Sequence, residues 1–145
     1  AAQYDEKVLI EEGINGKEIE CAILDDGEIK ASTVGEIKSA EEYYSFDAKY
    51  NIPDSQTIIP AKIDKEKIEE IKKLAIKAFK VIDGKNISRV DFFLENITNK
   101  VYINEINTMP GFTSISMYPK LFENSGIRYS ELLDKLIQNA IKTKK

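Results

Sequence analysis

Histidine is absent from this 145-residue sequence, and cysteine occurs once, at Cys21. Without histidine there is neither a histidine general base nor a histidine-ligated zinc ion, and one thiolate cannot build a zinc site. One cysteine excludes an internal disulfide, and together with the lack of a recognisable secretion signal it favours a reducing cytoplasm. Any chemistry must therefore rest on carboxylates, Lys, Arg, Tyr, Ser or a hard cation.

Long hydrophobic runs and a strong charge excess are missing as well. No apolar run approaches the roughly 20 residues that span a bilayer. The net charge of -4 and the pI of about 5.1 give no general attraction to nucleic acids or anionic membranes. The composition is typical of a globular protein, so we expect a single domain over residues 1–145 with neither kind of partner. Residues 1–7 are typical of a helix end, which suggests a piece of a longer protein.

The first third of the sequence is typical of strands. An apolar run at residues 8–12 predicts a buried strand, and Asn15-Gly16 predicts a turn into a second strand at residues 19–24. Asp25-Asp26-Gly27 predicts another turn, and alternation over residues 28–35 predicts a third strand. Three strands with tight turns favour an antiparallel meander.

The rest of the sequence mixes helices and strands. Residues 36–55 have no period, and a loop of this length is often functional. A helix is predicted between Asp64 and Asp83-Gly84, strands at residues 57–59, 88–95 and 101–107, a short helix at residues 119–124, and a last helix from Ser130. That last helix has an apolar face of Leu133, Leu136, Ile137, Ala140 and Ile141. The predicted fold is α+β, an antiparallel sheet with flanking helices.

Two of the predicted strands carry polar pairs. Arg89 and Asp91 are two residues apart and share a strand face, as do Glu105 and Asn107. Carboxylate and amide oxygens are the ligands that Mg²⁺ prefers, and Arg89 beside them could meet developing negative charge. From the spacing alone, a solvated sheet face with ion pairs is the simpler interpretation.

The metal hypothesis depends on the register of this hairpin. If Glu95 lies opposite Val101, then Asp91 and Glu105 fall on the same side of the sheet. Gly111 follows shortly after Asn107, and a glycine permits close approach of the backbone to a ligand. A plain turn would explain that glycine as well.

Two weaker patterns could belong to a nucleotide site. Residues Glu11-Glu12-Gly13-Ile14 could offer backbone groups to a flat base, with Glu18 near ribose hydroxyls, although a strand end with surface glutamates explains them too. Lys49-Tyr50 lies in the long loop, where a lysine could contact phosphates as part of a lid. An exposed loop lysine is the simpler interpretation.

The order of these segments resembles the C-terminal subdomain of D-alanine–D-alanine ligases, members of the ATP-grasp superfamily. The resemblance rests on residues 8–20, 46–50, 88–91 and 104–119, and it extends over nearly the whole chain. It implies an antiparallel sheet with helices that grasps ATP against a second, smaller sheet. In this family Asp91, Glu105 and Asn107 match the ligands of two Mg²⁺ ions, for which Mn²⁺ can substitute, and Glu105 bridges them.

The resemblance also implies roles in nucleotide binding. Glu11 and Ile14 match residues whose backbones hydrogen-bond adenine, Glu12 and Gly13 line the same pocket, and Glu18 matches the ribose carboxylate.

Further implied roles concern phosphate and substrate. Lys49 matches a phosphate-contacting lysine, and Tyr50 matches the tyrosine that closes the lid loop. Arg89 and the Gly111 backbone match the groups that stabilise the tetrahedral intermediate. The substrate-binding residues that remain are Ser116 and, through its backbone, Met117, which match the site for the carboxylate of the second D-alanine.

The implied reaction begins when ATP phosphorylates the first D-alanine, and the amine of the second D-alanine then attacks the acyl phosphate. The dipeptide serves peptidoglycan synthesis. The implied parent is a cytoplasmic homodimer, and its N-terminal and central domains lie outside this sequence, so we expect the isolated chain to be inactive.

Two alternatives stay open. Another ATP-grasp carboxylate–amine ligase could share these features; Tyr50 resembles the dipeptide-forming branch, but a D-serine acceptor is not distinguished. A non-catalytic nucleotide-binding module is the other, although it would have no need to keep Asp91, Glu105 and Asn107 together.

Overall fold

The computed structural model describes residues 2–38, 56–113 and 115–143. Their strands are β1 (Gly16–Asp25), β2 (Ile29–Lys38), β3 (Gln56–Ile58), β4 (Ile87–Glu95) and β5 (Val101–Asn107), and their helices are α1 (Lys65–Val81), α2 (Met117–Asn124) and α3 (Tyr129–Thr143). The strands form one antiparallel sheet in the order β3-β2-β1-β4-β5. The predicted α+β class is confirmed. None of the helices in these ranges is long and apolar enough to cross a membrane.

Strand β1 divides the hydrophobic core into two layers because successive side chains point to opposite faces of a sheet. Ile19, Cys21 and Ile23 pack with α1 on one face. Ala22 and Leu24 pack with α2 and α3 on the other face. All five side chains are fully buried, so β1 is the central strand both of the sheet and of the core.

The predicted strand at residues 8–12 is wrong. These residues form no strand, and Val8, Leu9 and Ile10 are 44%, 81% and 89% exposed. No described strand pairs with them, so an apolar run that looks buried in the sequence has no partner surface among the described residues.

The predicted turn at Asn15-Gly16 is also wrong. Gly16 lies within β1 opposite Glu95, and a side chain there would meet the Leu94 carbonyl oxygen at 2.3 Å. The glycine allows β1 to lie close to β4 and does not form a hairpin turn. The predicted meander therefore fails: β1 and β2 do form a hairpin through Gly27 at φ 105°, but the other neighbour of β1 is the distant strand β4.

The last helix buries a different face from the one predicted. Leu132 is fully buried and Leu136 is partly buried against the α2 layer, whereas Leu133, Ile137 and Ile141 are 37%, 56% and 60% exposed. Asn139 fixes the orientation of α3 by donating hydrogen bonds to the Asp25 carbonyl and to the side-chain oxygen of Asn86.

Candidate functional site

Strands β4 and β5 bring four of the predicted residues together. Asp91 lies opposite Glu105, and Arg89 lies opposite Asn107. Directly opposite residues of an antiparallel pair project to the same face, so the common face predicted from the spacing is confirmed. It is the face that carries α2 and α3, because Arg89 also lies opposite Ala22, which packs in the α2 layer.

A β-bulge sets the register of this hairpin. Val101 lies opposite Leu94, so the pairing of Val101 with Glu95 assumed from the sequence is wrong. One extra residue on β5, Asn104, then shifts the register before the site is reached. The bulge restores the predicted alignment of the two carboxylates, which the turn by itself would not produce.

Arg89 holds the site together electrostatically. Its Nε and Nη2 atoms donate hydrogen bonds to the two oxygens of Asp91 at 2.8 and 2.7 Å. The same Nε lies 3.3 Å from Oε1 of Glu20, and Nη2 lies 4.0 Å from Oε1 of Glu105. Burial works against the charge on Arg89, but the hydrogen bond to Asp91 and the charge of Glu20 raise the pKa of the guanidinium above its ordinary value.

The site has more negative than positive charge. Glu20, Asp91 and Glu105 surround the single guanidinium of Arg89, and the first two side chains are only 3% and 2% exposed. Glu105 is 50% exposed and faces the open side of the sheet. A cluster of this kind attracts a further cation, since buried carboxylates are stable only when their charge is compensated.

The donor set fits a hard divalent cation, although it is not preformed. Within residues 2–38, 56–113 and 115–143, no three acidic, histidine or cysteine side chains converge on a common metal position. Asp91 instead faces Arg89, while Asn107 Oδ1 accepts a hydrogen bond from the Met109 backbone N–H at 3.0 Å. Each of these oxygens keeps a second lone pair, so both remain able to bind a cation.

The loop after β5 brings Gly111 and Thr113 against Ser116, the residue before α2. Ser116 Oγ accepts a hydrogen bond from the Thr113 backbone N–H at 3.0 Å. A side chain at Gly111 would meet that Oγ at 2.9 Å, so the two residues are in close contact. Phe112 anchors the loop by ring contacts at 5.4 Å to Tyr118 and 5.6 Å to Tyr129. Met117, the first residue of α2, is buried.

The predicted nucleotide residues lie around the first residues of β1. Glu11, Glu12 and Gly13 are exposed in the segment before the strand, and Ile14 is half-buried. Glu18 lies in β1, two residues before Glu20 and therefore on the same face as the Arg89 cluster. Lys49 and Tyr50 lie outside the described residues.

Two surface cavities have linings that do not include the charged row around Arg89. One of about 260 Å³ is lined by residues that include Lys17, Lys62 and Lys67, and the other, of about 440 Å³, by residues that include Thr57 and Lys120. None of the predicted site residues lines either cavity. The candidate site is therefore neither of these cavities, and its exposed member is Glu105 on the edge strand β5.

Glu20 is the member of this charged row that sequence reasoning missed. It lies directly opposite Asp91 and is 2% exposed, so it extends the row of carboxylates across three strands. Alternation along β1 places Glu20 on a face with Glu18, but nothing local indicates that this strand pairs with β4. The only indication in the sequence was therefore a charged residue within a strand whose other residues are mostly apolar.

Comparisons with known proteins show the family of this chain. Residues 1–138 match the family described as D-ala D-ala ligase C-terminus. The D-alanine--D-alanine ligase of Acetivibrio thermocellus is 57% identical over 141 residues, which cover 97% of this chain and 38% of that protein. The chain thus spans about two fifths of the length of the curated relatives it matches.

Solved structures show the same relationship. Similar structures include the D-alanine-D-alanine ligase of Coxiella burnetii, with TM-score 0.76, 44% identity and coverage of 92% of this chain and 34% of that one. The VanG D-Ala:D-Ser ligase of Enterococcus faecalis has TM-score 0.77 at 37% identity, over 88% of this chain and 37% of that one. The Bacillus anthracis D-alanine--D-alanine ligase, in complex with ATP, has TM-score 0.73 at 28% identity, over 92% of this chain and 40% of that one. The fold, the charged row on its sheet and these matches together place the chain in the family of D-ala D-ala ligase C-terminal domains.

Proposed function

We propose that this chain is the C-terminal part of an ATP-dependent D-alanine–D-alanine ligase and contributes one half of its nucleotide and metal cleft. The observation that carries the proposal is the alignment of Asp91 with Glu105 beside the buried Arg89, on a sheet face that α2 and α3 leave partly open. Its support comes from the family and from the named relatives, of which one structure contains ATP.

Asp91, Glu105 and Asn107 would hold Mg²⁺, or Mn²⁺ in its place. The bound ion would neutralise phosphate charge during phosphoryl transfer, a reaction that depends on positioning and charge compensation rather than on a histidine base. Arg89 is poised for the same purpose, because its guanidinium stays protonated and lies beside the carboxylates at 11% exposure. It would stabilise the negative charge that develops when an amine attacks an acyl phosphate.

The loop before α2 would receive the acceptor amino acid. Ser116 presents a hydroxyl at the start of a helix whose first backbone N–H groups, beginning at Met117, have no acceptor within the helix. Such a helix start binds carboxylates well, and Gly111 lies beside the Ser116 hydroxyl, where an added side-chain carbon would come within 2.9 Å of that oxygen. This loop would therefore orient the second D-alanine through its carboxylate.

The remaining roles rest on the family resemblance. Adenine would contact the backbones of Glu11 and Ile14 beside Glu12 and Gly13, and the ribose would contact Glu18. Lys49 and Tyr50 would close over the phosphates. The complete enzyme would be a cytoplasmic homodimer whose other domains supply the rest of the cleft.

A D-alanine–D-serine ligase is the second candidate. It is favoured by one observation, the structural similarity to the VanG D-Ala:D-Ser ligase at TM-score 0.77. Both candidates require the same acyl phosphate and the same carboxylate face, so they differ only in the acceptor. A non-catalytic nucleotide-binding module would retain ADP binding but no transfer chemistry in the complete protein.

Calorimetric titration of Mg-ADP into this chain tests the metal and nucleotide face. We expect weak binding that requires Mg²⁺ and that Glu105→Ala weakens at least about tenfold, because the variant removes the exposed carboxylate of the row. Glu131→Ala is the matched control, since Glu131 is 48% exposed but lies on α3. Equal binding by wild type and Glu105→Ala, or binding that persists without Mg²⁺, would contradict the proposal.

A further inference from the structure

Glu20 has no role in the proposed mechanism, yet it is one of the most deeply buried charged groups in the described part of the chain. Its side chain is 3% exposed, and Oε1 lies 3.3 Å from Arg89 Nε. It lies opposite Asp91 on β1, as Glu105 does on β5, so Arg89 has a carboxylate on each side of the strand that carries it. A buried carboxylate is costly to retain unless it compensates another charge.

Metal binding at this face would leave Arg89 in need of a second carboxylate. In the structure both oxygens of Asp91 accept hydrogen bonds from Arg89. A divalent cation held by Asp91 and Glu105 would share their charge, and Arg89 would then lose much of its compensation. A guanidinium at 11% exposure that loses its partner is unstable in place, and it would turn toward water unless another carboxylate held it.

We propose that Glu20 is a positioning residue that keeps Arg89 beside the reaction when Asp91 and Glu105 bind the metal–nucleotide complex. The inference rests on the proposed function for its purpose, but the holding of Arg89 by Glu20 is a property of the metal-free chain and can be tested separately. Glu20 shares the Nε atom of Arg89 with Asp91, so a small rotation of the guanidinium transfers the hydrogen bond from one carboxylate to the other.

The test follows the Arg89 side chain directly by NMR. The sequence contains two arginines, Arg89 and Arg128, so the two Nε–H signals are assigned with a single Arg128→Lys variant. Exchange of the Arg89 Nε–H with water reports whether the guanidinium is held by a buried acceptor. The exchange rate is measured in wild type, Asp91→Asn, Glu20→Gln and the double variant, each checked for folding by backbone amide spectra.

We expect the effects of the two substitutions on the Nε–H exchange rate to be non-additive. In either single variant Arg89 keeps one buried carboxylate, so its Nε–H exchanges within about threefold of the wild-type rate; in the double variant exchange accelerates at least about tenfold. Fast exchange in Asp91→Asn, with Glu20 intact, would overturn the proposal. Asp91→Ala removes the acceptor altogether and gives the same reading if the asparagine variant is poorly folded.

Glu36→Gln is the matched control for loss of a buried glutamate. Glu36 is 4% exposed and pairs with Lys17 at 3.1 Å, but it lies opposite Ile19 and therefore on the other face of the sheet. We expect its substitution to leave the Arg89 signal unchanged, alone or combined with Asp91→Asn. A response equal to that of Glu20→Gln would mean that Arg89 senses general destabilisation, and the proposal would be wrong.

Titration with Mg²⁺ alone separates this inference from the proposed function. In wild type we expect shifts at Asp91, Glu105 and Asn107 while the Arg89 Nε–H stays protected; in Glu20→Gln the same shifts should accompany loss of protection. If Mg²⁺ shifts none of these residues in any variant, the metal site fails. The Asp91→Asn comparison still decides whether Glu20 holds Arg89.

Discussion

At the scale of the residue, burial decides which side chains can react. Arg89 and Asp91 are buried together and compensate each other, whereas Glu105 in the same row is half exposed and accessible to a ligand. The three thus differ in what they can do, although the sequence presents all of them simply as charged residues on strands. Their common face is confirmed, while their individual roles stay predictions.

Cys21 provides a prediction at this scale. The thiol is fully buried in the α1 layer, and burial raises its pKa to about 12. Because the thiolate is the reactive form, we expect the native chain to resist iodoacetamide and disulfide reagents, with labelling at least about a hundredfold slower than in the unfolded chain. The measurement is the labelling rate by mass spectrometry in buffer and in concentrated urea. Comparable rates in both conditions would contradict the burial of this thiol.

At the scale of the element, local pattern and long-range pairing give different kinds of information. The long helix between Asp64 and Asp83 and the strand at residues 101–107 were predicted with nearly the observed bounds, since their periodicity is contained within the element. The bulge at Asn104 was not predicted, because it depends on how β5 meets β4. The predicted pairing of Asp91 with Glu105 is correct although it started from the wrong pair, Glu95 with Val101. The bulge, which was not predicted, compensates for that shift of one residue.

Substitutions at Gly16 and Gly13 test how closely β1 and β4 approach each other, with Gly13 as the control. An alanine at Gly16 would place its methyl group 2.3 Å from the Leu94 carbonyl oxygen, so we expect Gly16→Ala to lower the free energy of unfolding by about 2 kcal/mol. At Gly13 no atom lies within 4 Å of the added carbon, so Gly13→Ala should change stability by less than about 0.5 kcal/mol.

Urea denaturation of the two glycine variants measures both values, provided that the slope of the transition is unchanged. Equal stabilities for the two variants would show that β1 does not approach β4 as closely as described.

At the scale of the whole molecule, the sheet face that carries the Arg89 row is only partly covered. α2 and α3 cover one part of this face, while Glu105 on the edge strand β5 is half exposed and the segment of Val8, Leu9 and Ile10 has no covering element among the described residues. The chain spans 38% of the length of its relative from Acetivibrio thermocellus. Both facts are consistent with a site that another part of a larger enzyme completes.

The isolated chain is therefore expected to have no ligase activity. Purified protein with ATP, Mg²⁺ and D-alanine should release phosphate and form dipeptide at the background rate, because positioning by a complete cleft supplies much of the acceleration in such reactions. The complete ligase of Acetivibrio thermocellus serves as the positive control. Dipeptide formation by the 145-residue chain that Glu105→Ala abolishes would show that this half of the cleft is sufficient.

The sequence by itself determined the type of most elements and the shared strand faces of Arg89 with Asp91 and of Glu105 with Asn107, because these depend on side-chain type and on periodicity within a few residues. It did not determine which strands are neighbours. The pairing of β1 with β4, the bulge at Asn104 and the approach of Glu20 to Arg89 join residues far apart in the chain. Only the tertiary structure decided them, since the stability of such contacts comes from packing that no local segment contains.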